Sequence, residues 1–163
     1  MTEALRTYNR ARNKLDASSL DVTHVHGASR DLVSMIEARL GVTLPASYRQ
    51  FLLDYGILEV EGQTIYGEFD DGDFASAVPS FVFATENGRR LGELDVSDIM
   101  IGASGDGADW VIDCAVLSKE GEAPVLAQTA RWNAQRQAPD FVRHELAPDF
   151  GNFFLRFVAL LSS

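Results

Sequence analysis

The residues of this chain that could do chemistry are mostly carboxylates in short clusters. Asp70-Asp71-Gly72-Asp73 follows Glu68 within one stretch, and Asp106 and Asp109 lie on either side of Gly107. Paired carboxylates can share acid and base roles or hold calcium. A calcium loop, however, needs ligands at alternate positions, a central Gly and a terminal Glu in a longer frame than Asp70–Asp73 provides. Most of these aspartates also stand at turn positions, where Asp is favoured for backbone reasons. His24 and His26 share one face of an extended segment but have no third ligand nearby. Gly102-x-x-Gly105-x-Gly107 has glycines spaced as in a phosphate loop, without the Lys-Ser/Thr pair or a following helical pattern. Cys114 lies in the apolar run 111–116 with no base in view, which reads as a buried structural thiol. No Ser–His–Asp or Cys–His arrangement supports nucleophilic catalysis. The expectation is a protein that is not an enzyme and uses no metal and no cofactor.

Charge says more about partners. The formal net charge is −10, and it is unevenly spread: residues 1–54 carry +1, residues 55–130 carry −12 and residues 131–163 carry +1. Nucleic acid is an unfavourable partner for such a chain, because phosphate contacts need a basic face. A basic protein is what the middle segment would attract; solubility alone would also explain an acidic surface. No apolar run reaches the roughly 18 residues of a membrane span. The first residues, with Glu3, Arg6, Arg10 and Arg12, lack the apolar core of a signal peptide, so a cytoplasmic location is expected. A length of 163 residues suits one domain.

The elements that must position these groups follow from periodicity. Residues 1–15 read as a helix with a thin stripe of Leu5, Tyr8 and Leu15 and a solvated basic face of Arg6, Arg10, Arg12 and Lys14. Leu32, Val33, Ile36 and Leu40 give a second helix begun at Ala28 or Ser29. Pro45 suits the first turn of a third, where Tyr48, Phe51, Leu52 and Tyr55 form one stripe and Gly56 supplies a left-handed stop. A fourth, weakened by Gly88, runs from about Phe83 to Leu91. Pro148-Asp149 opens the last, with Phe150, Phe153, Phe154, Phe157 and Leu161 along one side. Between them lie extended pieces: 57–60 and 63–66 around Glu61-Gly62, then 98–103 and 109–116 around an Asp-Gly turn, then 124–128 and 141–146. Val22 to Gly27 is a further short extended candidate. Helices, then strands, then a helix indicate α+β: a mostly antiparallel mixed sheet of about six strands with helices packed on one face, in a single domain. Within it, residues 1–27 read as an N-terminal helix and linker and residues 28–163 as the α+β domain. The other sheet face would be open for docking.

Three motifs in order add a resemblance. Leu40-Gly41-Val42-x-Leu44-Pro45-x-x-Tyr48-x-x-Phe51-Leu52, closed by Tyr55-Gly56, resembles the opening motif of the SUKH superfamily, which includes a fungal regulator of cell-wall synthesis. Gly62-Gln63-Thr64-Ile65-Tyr66-Gly67 resembles a strand of that family with Gly followed by Ile-Tyr-Gly. Ile101-Gly102-x-x-Gly105-Asp106-Gly107, followed by Asp113, resembles its hairpin. The resemblance spans roughly Leu32 to Leu161 and implies the same α+β arrangement.

Bacterial-looking members of that superfamily are similar to immunity proteins, which neutralise a cognate toxin in the cytoplasm. The resemblance, together with the acidic middle segment, therefore implies an immunity protein for a basic, nuclease-type toxin; charge and hydropathy lead us to expect no nucleic acid and no membrane, and a monomer or weak homodimer is expected. The acids expected to meet such a partner are Glu59, Glu61, Glu68, Asp70, Asp71, Asp73, Asp106 and Asp109, all taken as exposed in or beside loops. Tyr66 and Trp110 are candidate anchors, with core packing the simpler role for both. The alternative is an intracellular scaffold or regulatory adaptor of the cell-wall-regulator type.

Overall fold

The structure, a computed structural model, describes residues 1–70 and 77–163. In it the helices are α1 (Glu3–Asp16), α2 (Arg30–Leu40), α3 (Ala46–Tyr55), α4 (Phe81–Arg90) and α5 (Phe150–Ser162). Four of them begin at a side-chain cap. Thr2, Ser29, Ser80 and Asp149 accept from the backbone N–H groups of Leu5, Leu32, Phe83 and Asn152 at 3.2, 3.1, 3.1 and 2.7 Å. Each such contact satisfies a donor that has no partner inside the helix and is worth about 1 kcal/mol. The exception is α3. Pro45 stands at its N-cap, one position earlier than expected, and makes no side-chain cap bond.

The strands are β1 (Val22–His24), β2 (Leu58–Val60), β3 (Gln63–Ile65), β4 (Asp98–Ala103), β5 (Asp109–Asp113), β6 (Val125–Asn133) and β7 (Ala138–Ala147). They form one seven-stranded sheet in sequence order, β1 to β7, and every strand pair is antiparallel. The expected count of about six rises to seven because the short Val22 segment pairs with β2. Among the described residues the single parallel contact is an isolated bridge between Gly67 and Ser80.

Strand β3 meets β4 at one register pair only, Ile65 with Gly102. Beyond it the sheet forks, and α4 takes over the exposed edge of β4. Thr85 accepts from the Met100 N–H at 3.0 Å, and Arg89 donates to the Asp98 carbonyl at 3.1 Å. Without those bonds the buried backbone groups would be left unsatisfied.

Side chains alternate across the sheet. One face sends Leu58, Val60, Ile65, Trp110, Ile112 and Val125 into the core beneath the helices. There Phe51 is fully buried among Tyr48, Tyr55, Phe150 and Phe154, at ring separations of 5.7, 5.6, 5.2 and 6.1 Å. Edge-to-face and offset contacts of this kind add to what burial alone supplies.

Helix α1 differs in detail from its expected stripe. Ala4, Thr7, Tyr8, Ala11 and Leu15 are buried, and Leu5 is half-exposed. Small residues face α5 because the backbones approach closely: a Cβ on Gly151 would stand 2.1 Å from the Ala4 carbonyl oxygen. The basic side of α1 is not wholly solvated either. Arg12 pairs with Asp54 at 3.2 Å, and the Tyr8 hydroxyl donates to the same carboxylate at 2.7 Å, tying α1 to α3.

Gly56 also corrects an expectation. Its φ is +71° as a helix stop requires, but its ψ of −77° is not left-handed helical. The segment after β3 packs so closely on Gly56 that a Cβ on Gly67 would lie 1.6 Å from the Gly56 carbonyl oxygen.

Candidate functional site: a groove at the sheet fork

The fork between β3 and β4 leaves a groove of about 440 Å³, lined by Glu59, Gly62, Gln63, Thr64, Tyr66, Val78, Pro79, Ala103 and Gly105. Among the described residues no basic side chain contributes to that lining. Its position follows from register. Glu59 pairs with Thr64 across β2 and β3, and Ala103 pairs with Asp109 across β4 and β5. Residues directly opposite in an antiparallel pair share a face, so Glu59 and Thr64 stand together, as do Ala103 and Asp109. Because Leu58, Val60, Trp110 and Ile112 point into the core, Glu59 and Asp109 point away from the helices.

Tyr66 borders this groove. One side of the half-buried ring packs on the core. Burial, followed by the nearby Asp109 carboxylate, pushes its hydroxyl above the usual tyrosine range, so it remains a hydrogen-bond donor. Burial first, and then Glu93, raises Asp109 as well. Asp106 behaves oppositely: at the exposed hairpin tip it accepts from the Ser104 hydroxyl, which holds it below the usual carboxylate value. The hairpin closes through the Ser104 N–H to the Ala108 carbonyl at 2.8 Å. The glycines spaced as in a phosphate loop thus belong to a β-hairpin, with no helix after them.

The eight expected contact acids separate into three groups. Glu59, Glu61 and Asp106 are exposed, with Asp109 half-buried on the same part of the sheet. Glu68 is a correction: it is fully buried, and its carboxylate accepts from the Ser80 hydroxyl at 2.8 Å. Since Ser80 caps α4, Glu68 works inside the fold. Asp70 is exposed but engaged, accepting from the Ser29 N–H at 3.1 Å and the Ser29 hydroxyl at 2.9 Å at the start of α2. Asp71 and Asp73 lie outside the described residues.

Trp110 sits in the core, its ring edge-to-face with Phe153 and Phe157 at 5.1 and 6.0 Å. Burial pushes the Cys114 thiol up to about 12, far from a reactive thiolate. His24 contacts the Tyr55 ring at 5.5 Å. Among the described residues, no group of three His, Cys, Asp or Glu side chains is placed to hold a metal ion. Sequence reasoning missed the polar floor of the groove, Gln63 and Thr64, which carry no chemical signature of their own.

The chain is therefore a single-domain α+β protein with helices on one face of an antiparallel sheet and a groove bordered by Glu59 on the other. The family model SUKH_6, described as SMI1-KNR4 cell-wall, matches residues 30–154, and the chain belongs to that SUKH family. No match is found among curated proteins. Among the described residues no helix is long and apolar enough to cross a membrane.

Proposed function

We propose that the protein is a non-enzymatic immunity protein that binds a basic, nuclease-type toxin in the cytoplasm and blocks it through this groove. The observation that supports this reading is the placement of Glu59 and Tyr66 in the groove at the sheet fork, with Asp109 near the Tyr66 hydroxyl and no basic side chain among the described lining residues. Nuclease surfaces are basic because they grip phosphates. A concave acidic surface would steer to such a surface and occupy it by imitating the charge of the substrate. Tyr66 offers a partly apolar ring beside the carboxylates, and a cationic side chain can stack on such a face.

The test is affinity capture with tagged protein from lysates of the source cells and of competing strains. The Glu59→Lys/Asp109→Lys double variant serves as the comparison bait. One stoichiometric basic protein, retained at about 0.15 M salt and lost at higher salt, supports the reading if its toxic activity falls on mixing. The double variant should slow association about tenfold or more. Several sub-stoichiometric regulatory proteins, captured equally by both baits, would instead support an adaptor.

A further inference from the structure

We propose that β7 pairs antiparallel with β7 of a second copy, about a two-fold axis through Val142. Strand β7 is the last in the sheet and is bonded on one side only, to β6. Its ten residues make it the longest strand, whereas the opposite edge, β1, has three. A long open edge is a template for another strand, and proteins usually shorten, charge or cover it. Here the middle of the edge carries Phe141 and Val142, 37% and 42% exposed. Among the described residues the one side chain bonded to a β7 carbonyl near its C-terminal end is Arg156, which donates to Leu146.

Charge selects both the occupant and the register. In an antiparallel pair about a two-fold axis normal to the sheet, residues that face each other come from the same side of the sheet. Each allowed register therefore sets one β7 residue against its own copy. Pairing about Arg143 puts guanidinium against guanidinium, and pairing about Asp140 puts carboxylate against carboxylate. Pairing about Phe141 sets Asp140 against Val142. Pairing about Val142 joins the two exposed valines and sets each Asp140 carboxylate against the His144 ring of the other copy. Asp140 already pairs with Arg136 and accepts from Asn133 at 2.9 Å in its own chain; this register alone adds a potential hydrogen-bond donor opposite it and creates no like-charge pair along 139–145. The strand is thus complementary to itself. The groove at the β3–β4 fork stays open in such a dimer, so the inference does not depend on the toxin reading.

Sedimentation equilibrium and cysteine cross-linking test it. The wild-type chain should approach twice its 17.9 kDa mass with rising concentration. V142K, which sets two ammonium groups against each other, should stay at the monomer mass with an unchanged circular dichroism spectrum. On mild oxidation V142C should form a disulfide-linked dimer, because the paired Cβ atoms lie about 4.5–5.5 Å apart, close to disulfide reach. F141C and H144C should not, and the buried Cys114 keeps the wild type as a control. A wild-type chain that remains monomeric at every concentration overturns the proposal. So does a V142K variant that still doubles its mass, or cross-linking of F141C in place of V142C.

Discussion

Glu122 and Ser47, 75 residues apart in sequence, meet in the interior: the carboxylate accepts from the Ser47 N–H at 3.0 Å and from its hydroxyl at 2.8 Å. This is the cap that Pro45 cannot give α3, supplied from the loop before β6. The Ser47 oxygen in turn accepts from the Gly151 N–H at 3.1 Å, so one buried cluster secures the starts of α3 and α5.

Burial pushes Glu122 up to about 7 from an ordinary 4.5; the Ser47 bonds pull it down, and Asp149 and Glu120 push it further up. The folded protein then binds more protons at this site than the unfolded chain between those two values. The contribution to stability is complete below about 4.5 and is lost as pH rises through about 7. Glu122→Gln keeps an acceptor without the ionisation. Between pH 5 and pH 8 the wild type should lose at least about 3 °C in Tm relative to the variant, measured by thermal unfolding across pH. Parallel pH profiles would contradict the assignment.

The Asp98–Arg143 pair should matter more than a surface pair. Asp98 is 1% exposed, and the two guanidinium nitrogens of Arg143 lie 2.6 and 3.1 Å from its carboxylate. Arg143→Met strands a buried carboxylate and should lower stability by about 3–5 kcal/mol in urea unfolding. Adding Asp98→Asn should recover part of that loss.

The close approach of Gly67 to Gly56 leaves no room for a side chain. Gly67→Ala should cost about 3 kcal/mol or more, because backbone must shift to accept the Cβ. Gly105→Ala meets nothing within 4 Å and should stay within about 0.5 kcal/mol of wild type. Denaturant midpoints of the two variants give the comparison directly.

Cys114 is expected to be inert while the protein is folded, since burial disfavours its thiolate. A thiol reagent should label it slowly in native buffer and fully in denaturant. Rapid native labelling would place it nearer the surface than the fold allows.

Much of the architecture was legible in the sequence. The Tyr48, Phe51, Leu52 and Tyr55 stripe, the four phenylalanines of α5 and the Asp-Gly hairpin are local patterns, and helix and turn preferences are set by neighbours a few residues apart. Acidity between residues 55 and 130 was equally plain, because composition needs no structure.

Burial and convergence were not legible, for they depend on contacts between distant segments. Nothing local distinguishes Glu68 from Glu59, yet one is sealed under the Ser80 cap and the other stands on the open sheet face. Arg12 resembles Arg10 in sequence but finds Asp54 on another helix. By itself the sequence determined the helices, most of the strands and the sign of the charge, all consequences of short-range periodicity and composition. Only the tertiary structure decided that β3 and β4 part after one pair, bringing Glu59 and Tyr66 to one groove with Asp109 near the Tyr66 hydroxyl, because strand register and side-chain burial are fixed by packing across the whole sheet.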